Sequence, residues 1–378
     1  MRVYFDNAAT TPIDKEVLKE MYQVMENHFG NPSSIHAYGR EVRTIIEKAR
    51  KTISGLLNTS PSQIFFTSGG TEADNTAIRS GIVDHGITHA ITSPIEHHAV
   101  VHTLQDMEKT GAIKLSFLEV DSKGNVNLEQ LEDLLKTNKR SFVSLMQANN
   151  EIGTITDIEK VGEICEKYDA IFHCDTVQTL GHYRHDLSKL KVHFMVCAAH
   201  KLHGPKGIGF LYVNHNIKIK PMIFGGSQER NMRGGTENVY GIVGLAKAMQ
   251  MAYQNMDDHQ QYIQGLKTYM MDQLISIIPD IQFNGETDPE KSLYTVLSVS
   301  FPETEMAEML LFNLDIAGIS ASGGSACSSG TDIGSHVLYG IKAHPNRPAV
   351  RFSFSKFNTT GEIDFVISKI KNLFMVKV

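Results

Sequence analysis

The amino-acid sequence predicts an α/β protein in which a mostly parallel β-sheet lies between helices and is joined to a second, smaller domain. Short apolar runs alternate with segments of helical periodicity through the first two-thirds of the chain. In the last third this alternation stops, and two apolar runs flank a Gly/Ser-rich segment. The length of 378 residues agrees with about two domains. With 41% hydrophobic and 21% charged residues, the composition is that of an ordinary globular protein.

Two helices are predicted at the start of the chain. Residues 14–28 and 38–57 carry apolar side chains at the spacing that gathers them on one helical face. Asp14 is available as N-cap of the first helix, and Asn58 and Pro61 end the second. Each helix can therefore pack one face on a core.

Apolar runs that are short enough for buried strands follow, with helical segments between them. They cover residues 64–66, 89–91, 142–146, 170–174, 193–196 and 208–213. This βαβ rhythm favours parallel strands covered by helices on both faces, and ligands of such sheets collect beyond the carboxyl ends of the strands. Polar residues directly after these runs are therefore the first candidates for a functional site.

The remaining third of the chain is predicted to form the smaller domain. A helical stretch over residues 242–277, which allows for one interruption, leads to apolar runs at 295–301 and 349–355 and to a last helix at 361–374. The two runs flank the Gly/Ser-rich segment 322–330.

Charge and cysteine usage exclude several classes of protein. The formal net charge of -6 gives no electrostatic reason to bind nucleic acid or an anionic membrane. The N-terminus lacks the pattern of a signal peptide, and no run approaches the ~20 apolar residues of a membrane span, so we expect a cytoplasmic protein. The four cysteines form no C-x-x-C pair, so neither a disulfide framework nor a metal site is expected. Cys165, Cys174 and Cys197 lie in apolar patterns typical of core positions.

A phosphate-binding turn is predicted at residues 68–72, which have the sequence Ser-Gly-Gly-Thr-Glu. The segment lies between a predicted strand and a helix, so its backbone N–H groups and the helix N-terminus could hold a phosphate. It matches neither the Walker nor the Rossmann pattern. A glycine turn that merely enters a helix is the alternative.

Asp175 and Lys201 each follow an apolar run, so both side chains should reach the carboxyl edge of the sheet. A carboxylate that keeps a pyridine nitrogen protonated and a lysine that forms an imine are the two groups that a pyridoxal-phosphate enzyme requires of its protein. An ordinary salt bridge is the alternative. His97 would lie over the same edge, although a histidine at such a position is often only polar surface.

Cys327 differs from the other cysteines because it lies among small residues in the Gly/Ser-rich segment. Such a loop can be exposed and mobile, and exposure is one condition for a reactive thiol. An incidental exposed cysteine is the alternative.

Taken together, these segments resemble the cysteine desulfurases of the class V aminotransferase family, which are fold type I pyridoxal-phosphate enzymes. The resemblance covers nearly the whole chain. Its motifs are Asp6-Asn7-Ala8-Ala9-Thr10-Thr11-Pro12, Gly30-Asn31-Pro32-Ser33-Ser34, Thr67-Ser68-Gly69-Gly70-Thr71-Glu72, Asn149-Asn150-Glu151-Ile152-Gly153, His200-Lys201 before Gly204-Pro205-Lys206-Gly207, and Gly324-Ser325-Ala326-Cys327. The resemblance implies a large domain at 15–255 with a seven-stranded sheet, and a small α+β domain at 1–14 and 256–378 that carries the Cys327 loop.

The resemblance also implies the roles of single residues in binding pyridoxal 5′-phosphate. Lys201 would hold the cofactor covalently, Asp175 would pair with the pyridine nitrogen, Gln178 would bond the ring hydroxyl and His97 would stack on the ring. Gly70, Thr71 and His200 would hold the phosphate, and Thr236 would reach it from the partner subunit of a homodimer. Asn150 would contact cofactor and substrate.

L-Cysteine is the substrate that the resemblance implies, with its carboxylate on Asn150 and Arg351. The Lys201 amine would remove the α-proton, and the Cys327 thiolate would attack the substrate sulfur with His97 as proton carrier. Alanine and a Cys327 persulfide would result, and the sulfur would pass to an acceptor protein in iron–sulfur cluster assembly or tRNA thiolation.

Two departures from the family pattern have consequences. The family usually has Ser where this chain has Ala198, and a hydrogen bond to a charged group contributes about 1.5–3 kcal/mol, so cofactor affinity should fall by about one to two orders of magnitude. The chain also ends at Val378, whereas many relatives continue into an extension that docks scaffold proteins, so docking by such a tail is not expected.

Two alternatives to this function stay open at the level of sequence. A selenocysteine lyase or another class V enzyme would share most of the cofactor residues. A catalytically silent sulfur-relay scaffold would keep the fold without the reaction, although Lys201, Asp175, His97, Arg351 and Cys327 are all present.

Overall fold

A computed structural model describes residues 1–138, 140–303, 309–323 and 334–375. Cys327 lies outside the described residues, and so does most of the Gly/Ser-rich segment around it. None of the described helices is both long enough and apolar enough to cross a membrane.

The centre of the described structure is the predicted seven-stranded sheet, and its strand order is β2-β8-β7-β6-β5-β3-β4. All of its neighbouring strands pair in parallel except at β8, which is antiparallel to both of its neighbours. The strands are β2 (Ile64–Thr67), β3 (His89–Thr92), β4 (Lys114–Phe117), β5 (Phe142–Ser144), β6 (Ile171–Asp175), β7 (Phe194–Ala198) and β8 (Gly209–Val213).

Two smaller sheets complete the strand inventory of the described residues. One is antiparallel with the order β12-β10-β9, and the other pairs β1 with β11 in parallel. Their strands are β1 (Val3–Tyr4), β9 (Gln282–Asn284), β10 (Val296–Ser300), β11 (Ile319–Ser320) and β12 (Ala349–Ser353). The N-terminus is therefore held beside residues that come more than three hundred positions later, as the bridge between Asp6 and Ser353 also shows.

Helices cover both faces of the central sheet and surround the smaller ones. They are α1 (Lys15–Asn27), α2 (Ala37–Leu56), α3 (Gly70–Val83), α4 (His98–Lys109), α5 (Leu128–Thr137), α6 (Ile158–Lys167), the short α7 (Gln228–Asn231), α8 (Val239–Gln254), α9 (Met256–Ile277), α10 (Leu310–Ile316), α11 (His336–Gly340) and α12 (Thr360–Met375). Asp14 caps α1 as predicted, because its carboxylate accepts a hydrogen bond from the Glu16 N–H. The predicted interruption of the long helical stretch lies at Asn255, between α8 and α9.

The core divides according to the two faces of the central sheet. Phe172 of β6 packs with residues of α1, α2, α6 and α8, whereas its neighbour Ile171 packs with α3 and α4 on the opposite face. This alternation is what a strand imposes, since successive side chains point to opposite sides. A separate core joins α9 and α12 to the small sheets. Cys165, Cys174 and Cys197 are buried, as predicted.

Two strands differ from a simple βαβ reading. The sequence analysis did not identify β4, because it is an edge strand with polar residues at Lys114 and Ser116. Strand β8 is antiparallel because residues 199–208 are too few for the helical crossover that a parallel return requires.

Candidate active site

A cavity of about 250 Å³ opens where the parallel strands of the central sheet end. It gathers polar residues that follow different strands, because the carboxyl ends of parallel strands share one edge. The residues predicted from the sequence that line it are Gly70, Thr71, His97, Asn150, Asp175, Gln178, His200, Lys201 and Arg351. Thr236 does not line this cavity: it is exposed and lies in a separate depression with Arg233.

Lys201 lies in a single 3-10 turn that directly follows β7. Its Nζ donates hydrogen bonds to the carbonyl oxygens of Ala8 at 2.5 Å and Ala9 at 2.9 Å. The same N-terminal segment is fixed to the turn by its backbone, since the Thr11 N–H donates to the His200 carbonyl at 2.8 Å. The contacts with residues 8–11 therefore hold the amine at the cavity.

Asp175 is the last residue of β6, and its carboxyl group is buried. Its Oδ1 accepts a hydrogen bond from the Val177 N–H at 2.9 Å. Burial raises the pKa of Asp175, while the charges of His97 and Lys201 and the Val177 hydrogen bond oppose that rise. A positive group brought next to this carboxyl would therefore be strongly attracted once the carboxyl is ionised.

His97 is the N-cap residue of α4, and its Nδ1 accepts a hydrogen bond from the Ala99 N–H at 3.1 Å. Burial lowers the pKa of His97, and the positive charge of Lys201 lowers it further, against the opposite effect of Asp175. The imidazole is therefore favoured in its neutral form, in which it can accept a proton.

The N-terminus of α3 lies at the wall of the same cavity and is the predicted phosphate-binding turn. Gly69 has a φ of +155°, a conformation that favours glycine, and a Cβ on Gly70 would lie 2.9 Å from a methyl carbon of Val177. The backbone can therefore approach a ligand closely at the first turn of the helix, where the free N–H groups attract anions. His200 also lines the cavity, and its Nδ1 lies 3.2 Å from Oγ1 of Thr10 in the N-terminal segment of the chain.

Arg351 projects from β12 of the small sheet and is only 2% exposed. Its Nη2 donates to Asp6 Oδ1 at 2.8 Å, and its Nη1 donates to the Asn150 carbonyl oxygen at 2.8 Å. Its Nε has no hydrogen-bond partner among the described residues. The guanidinium is thus fixed in orientation and keeps donor capacity that a carboxylate could use.

Several residues that shape this site were not among those predicted from the sequence. Asp6, Ala8 and Ala9 lie in a quoted motif but were given no role, because their contacts join residues that are far apart in the chain. Asp74 was not singled out either, although a carboxyl group on the buried face of a helix is a signal that the sequence offers. Its carboxyl, that of Asp175 and the His97 imidazole have polar atoms within 4.8 Å of one another.

The donor set of the cavity fits pyridoxal 5′-phosphate in its chemistry. An aldehyde needs an amine, a pyridine nitrogen needs a carboxylate, and a phosphate needs a helix N-terminus with small residues. Lys201, Asp175 and the Gly69–Gly70 turn supply these three groups around one cavity.

Known proteins with similar sequences and structures point in the same direction. A family model for class V aminotransferases matches residues 3–366. The putative cysteine desulfurase IscS 1 of Bacillus subtilis (strain 168) is 41% identical over 368 residues, which are 96% of this chain and 96% of that protein. The cysteine desulfurase IscS of Dictyoglomus turgidum is 40% identical over 379 residues, covering 98% of this chain and 94% of that protein.

A solved structure of a NifS-like protein covers 100% of both chains with a TM-score of 0.92 and 37% sequence identity. The predicted mixed α/β fold with its mostly parallel seven-stranded sheet is confirmed by this likeness and by the strand order. The family model extends over nearly all of the sequence, as the resemblance of the motifs predicted. The chain belongs to the class V aminotransferase family.

Proposed function

We propose that the chain is a cysteine desulfurase that uses pyridoxal 5′-phosphate to take the sulfur atom from L-cysteine, leaving alanine and a persulfide on Cys327. The observation that supports this most is the convergence of Lys201, Asp175, His97 and Arg351 on one cavity. Relatives that are 40–41% identical over almost the whole chain carry the name cysteine desulfurase.

The cofactor, when bound, supplies an electron sink for the bond changes at the substrate carbon atoms. Asp175 is suited to pair with the pyridine nitrogen. Burial disfavours its ionised carboxylate, and a positive partner would stabilise that form. Gly70, Thr71 and His200 are the proposed phosphate ligands, Gln178 the partner of the ring hydroxyl and His97 the stacking group. Asn150 is proposed to contact both cofactor and substrate.

Substrate binding is proposed to depend on Arg351. A guanidinium recognises a carboxylate well when its orientation is already fixed, since less side-chain entropy is then lost on binding. Asp6 and the Asn150 carbonyl provide that fixation here. The carboxylate of L-cysteine would take up the donor capacity that remains.

Lys201 is proposed to remove the α-proton of the substrate as a neutral amine and to return a proton to the α-carbon after the carbon–sulfur bond has broken. The carbonyl oxygens of Ala8 and Ala9 lie within hydrogen-bond distance of its Nζ and can hold the ammonium that results. The Cys327 thiolate would then form a bond to the substrate sulfur while the carbon–sulfur bond breaks. The electron pair left on the β-carbon takes up a proton. His97 is the proposed carrier, because its neutral imidazole can first accept a proton and then deliver it as an imidazolium.

A homodimer is proposed as the functional assembly, with Thr236 contributing to the phosphate site of the partner subunit. In its support, Thr236 is exposed and outside the cavity of its own chain. The nearby N-terminal segment exposes large apolar side chains, including Phe29 and Tyr38, whose rings lie 5.1 Å apart. Exposed apolar patches of this kind are typical of protein interfaces.

Other parts of the proposal extend the sequence predictions. The sulfur would pass from Cys327 to an acceptor protein in iron–sulfur cluster assembly or tRNA thiolation. The domain boundaries at 15–255 for the large domain and 1–14 with 256–378 for the small domain stay predictions, as does the cytoplasmic location.

Mass spectrometry of the purified protein after addition of L-cysteine tests the function, with alanine assayed in the same sample. We expect one extra sulfur on Cys327 and stoichiometric alanine, and neither product in the variants Lys201→Ala and Cys327→Ser. Cys327→Ser should still bind cofactor and substrate, because its thiol acts after both have bound. Unimpaired release of sulfide by Cys327→Ser would refute the role of this cysteine, and bound cofactor without either product would refute the desulfurase function.

A further inference from the structure

A buried polar pair lies behind Asp175, formed by Asp74 of α3 and His173 of β6. Asp74 is 1% exposed and His173 is 0% exposed. His173 and Asp175 are two residues apart in one strand, so their side chains leave the same face of the sheet, on which α3 packs. Asp74 lies one helical turn after Gly70, on the buried side of α3 that packs on this face of the sheet.

The contacts of this pair leave its polar atoms with few partners. His173 Nε2 is 3.3 Å from Asp74 Oδ1, and His173 Nδ1 is 2.8 Å from Ser144 Oγ. Within the described residues, neither His173 Nε2 nor Asp74 Oδ1 forms a hydrogen bond, although the two atoms are close to each other. One carboxylate oxygen of Asp74 lies within 4.8 Å of polar atoms of both Asp175 and His97.

The charge state of the pair follows from its surroundings. No lysine or arginine in the described ranges forms an ion pair with Asp74, and the carboxyls nearest to it are those of Asp175 and Glu96. Burial raises the pKa of Asp74 well above its usual range, and the negative charges of Asp175 and Glu96 raise it further. Burial also lowers the pKa of His173 to about 3, so the imidazole is neutral and cannot serve as the counter-ion.

We propose that Asp74 is a positioning residue that works as a neutral carboxylic acid beside His173 and that directs its proton toward Asp175. A protonated carboxyl is a hydrogen-bond donor, and a donor next to Asp175 stabilises the anionic form of that carboxylate. An ionised Asp74 would do the opposite, because two adjacent negative charges in a buried site repel each other. Asp74 thereby allows Asp175 to stay ionised when it pairs with a protonated pyridine nitrogen.

This inference rests on the proposed function, since it assumes that Asp175 faces the cofactor ring. It adds a residue that lines the cavity beside Asp175 and whose effect on the cofactor would run through Asp175. Two variants separate donation from charge. Asp74→Asn keeps a neutral donor of nearly the same shape, whereas Asp74→Leu removes the donor and keeps the branching at Cγ.

The test is cofactor affinity, measured by equilibrium titration of the cofactor-free protein with pyridoxal 5′-phosphate. We expect Asp74→Asn to stay close to the unsubstituted protein and Asp74→Leu to bind about ten- to a hundredfold more weakly, as for a lost hydrogen bond to a charged group. The pH titration of the bound cofactor's absorbance should shift in Asp74→Leu and not in Asp74→Asn. Thr76→Val is the matched control. Thr76 is buried on the same helix, and its hydroxyl donates to the Glu72 carbonyl oxygen one helical turn earlier.

A double-mutant cycle with Asp175→Asn distinguishes positioning from a structural role. The effect of Asp74→Leu on cofactor affinity should disappear when Asp175 no longer carries a charge. An effect that persists in the Asp175→Asn background, or equal behaviour of Asp74→Asn and Asp74→Leu, would overturn the inference. If the unsubstituted protein does not bind the cofactor, the proposed function fails and this inference with it, whereas normal cofactor binding by Asp74→Leu overturns this inference alone.

Discussion

Ala198 is the residue of the cofactor site for which the sequence analysis expected a departure from the family pattern, and the structure gives its position a physical meaning. It is the last residue of β7, it is buried, and it lines the cavity. Its Cβ would lie 3.8 Å from a Cβ built on Gly70, at the first turn of α3. A hydroxyl at position 198 would therefore stand beside the proposed phosphate site.

Ala198→Ser should strengthen binding of pyridoxal 5′-phosphate by about tenfold or more, since a hydrogen bond to a charged group contributes about 1.5–3 kcal/mol. Fluorescence or absorbance titration of the cofactor-free protein measures the change. The neighbouring variant Ala199→Ser is the control, because Ala199 packs in the core on the other side of the sheet. An unchanged dissociation constant in Ala198→Ser would show that this position does not anchor the phosphate.

The residues that line the cavity were largely predictable, and the reason is topological. Asp175 and Lys201 follow parallel strands, so the alternation of apolar runs alone was enough to expect them at one edge. Asp74 and Asp6 were not predictable in the same way, because their importance arises from contacts across the tertiary structure. The roles of the predicted residues stay predictions until the variants are measured.

At the scale of elements, helix α9 has a lysine, Lys267, on its buried face. Lys267 is 2% exposed, and its Nζ donates to Ser292 Oγ at 2.6 Å and to the Leu293 carbonyl oxygen at 2.9 Å. The Leu293 N–H in turn donates to the Gly153 carbonyl, so the lysine fixes a loop that reaches the central sheet. Burial lowers the pKa of Lys267 to about 7.

The depressed pKa of Lys267 predicts a pH dependence of stability. Between about pH 7 and the usual lysine pKa of about 10.4, the unfolded chain binds more protons at this site than the folded chain. The contribution of Lys267 to the free energy of unfolding should therefore increase as the pH rises through this window and be smallest below it. Lys267→Met removes this contribution, so the variant should lose more stability relative to the unsubstituted protein at pH 10 than at pH 7.

Urea unfolding of the unsubstituted protein and of Lys267→Met at pH 7 and pH 10 measures the difference between their free energies of unfolding. Ionisable groups that both proteins share contribute equally and cancel in this difference. Lys371→Met on α12 is a suitable control, because that lysine is exposed. A stability difference for Lys267→Met that is the same at pH 7 and pH 10 would contradict the prediction.

Most elements could be predicted from periodicity, and the exceptions have physical causes. The limits of α1 and α2 agree with prediction within about one residue because their apolar faces and caps are strong signals. Strand β4 has no comparable apolar run. The small sheets were only partly predicted, since β1 pairs with β11 across almost the whole sequence and no local pattern encodes such a partner.

At the scale of the whole molecule, the exposed apolar side chains of the N-terminal region require an explanation. Phe29 is 71% exposed and Ile35 is 91% exposed, in the segment between α1 and α2. Ser33 of this segment is 3.4 Å from Gln228, which is close in sequence to Thr236. The apolar segment and the exposed threonine are thus parts of one region of the surface, which suits an interface that also delivers Thr236 to the partner subunit.

If the unsubstituted protein is the proposed dimer, the double variant Phe29→Lys with Ile35→Lys should be monomeric and should bind pyridoxal 5′-phosphate more weakly. The two added charges repel their copies across a symmetric interface, and the loss of the partner also removes Thr236 from the phosphate site. Sedimentation equilibrium gives the mass and titration gives the cofactor affinity. Phe312→Lys with Ile316→Lys on α10 adds the same charge at another exposed apolar position and should remain dimeric. A monomeric double variant at positions 29 and 35 with unchanged cofactor affinity would contradict the role of Thr236, and an unchanged mass would place the dimer interface on another surface.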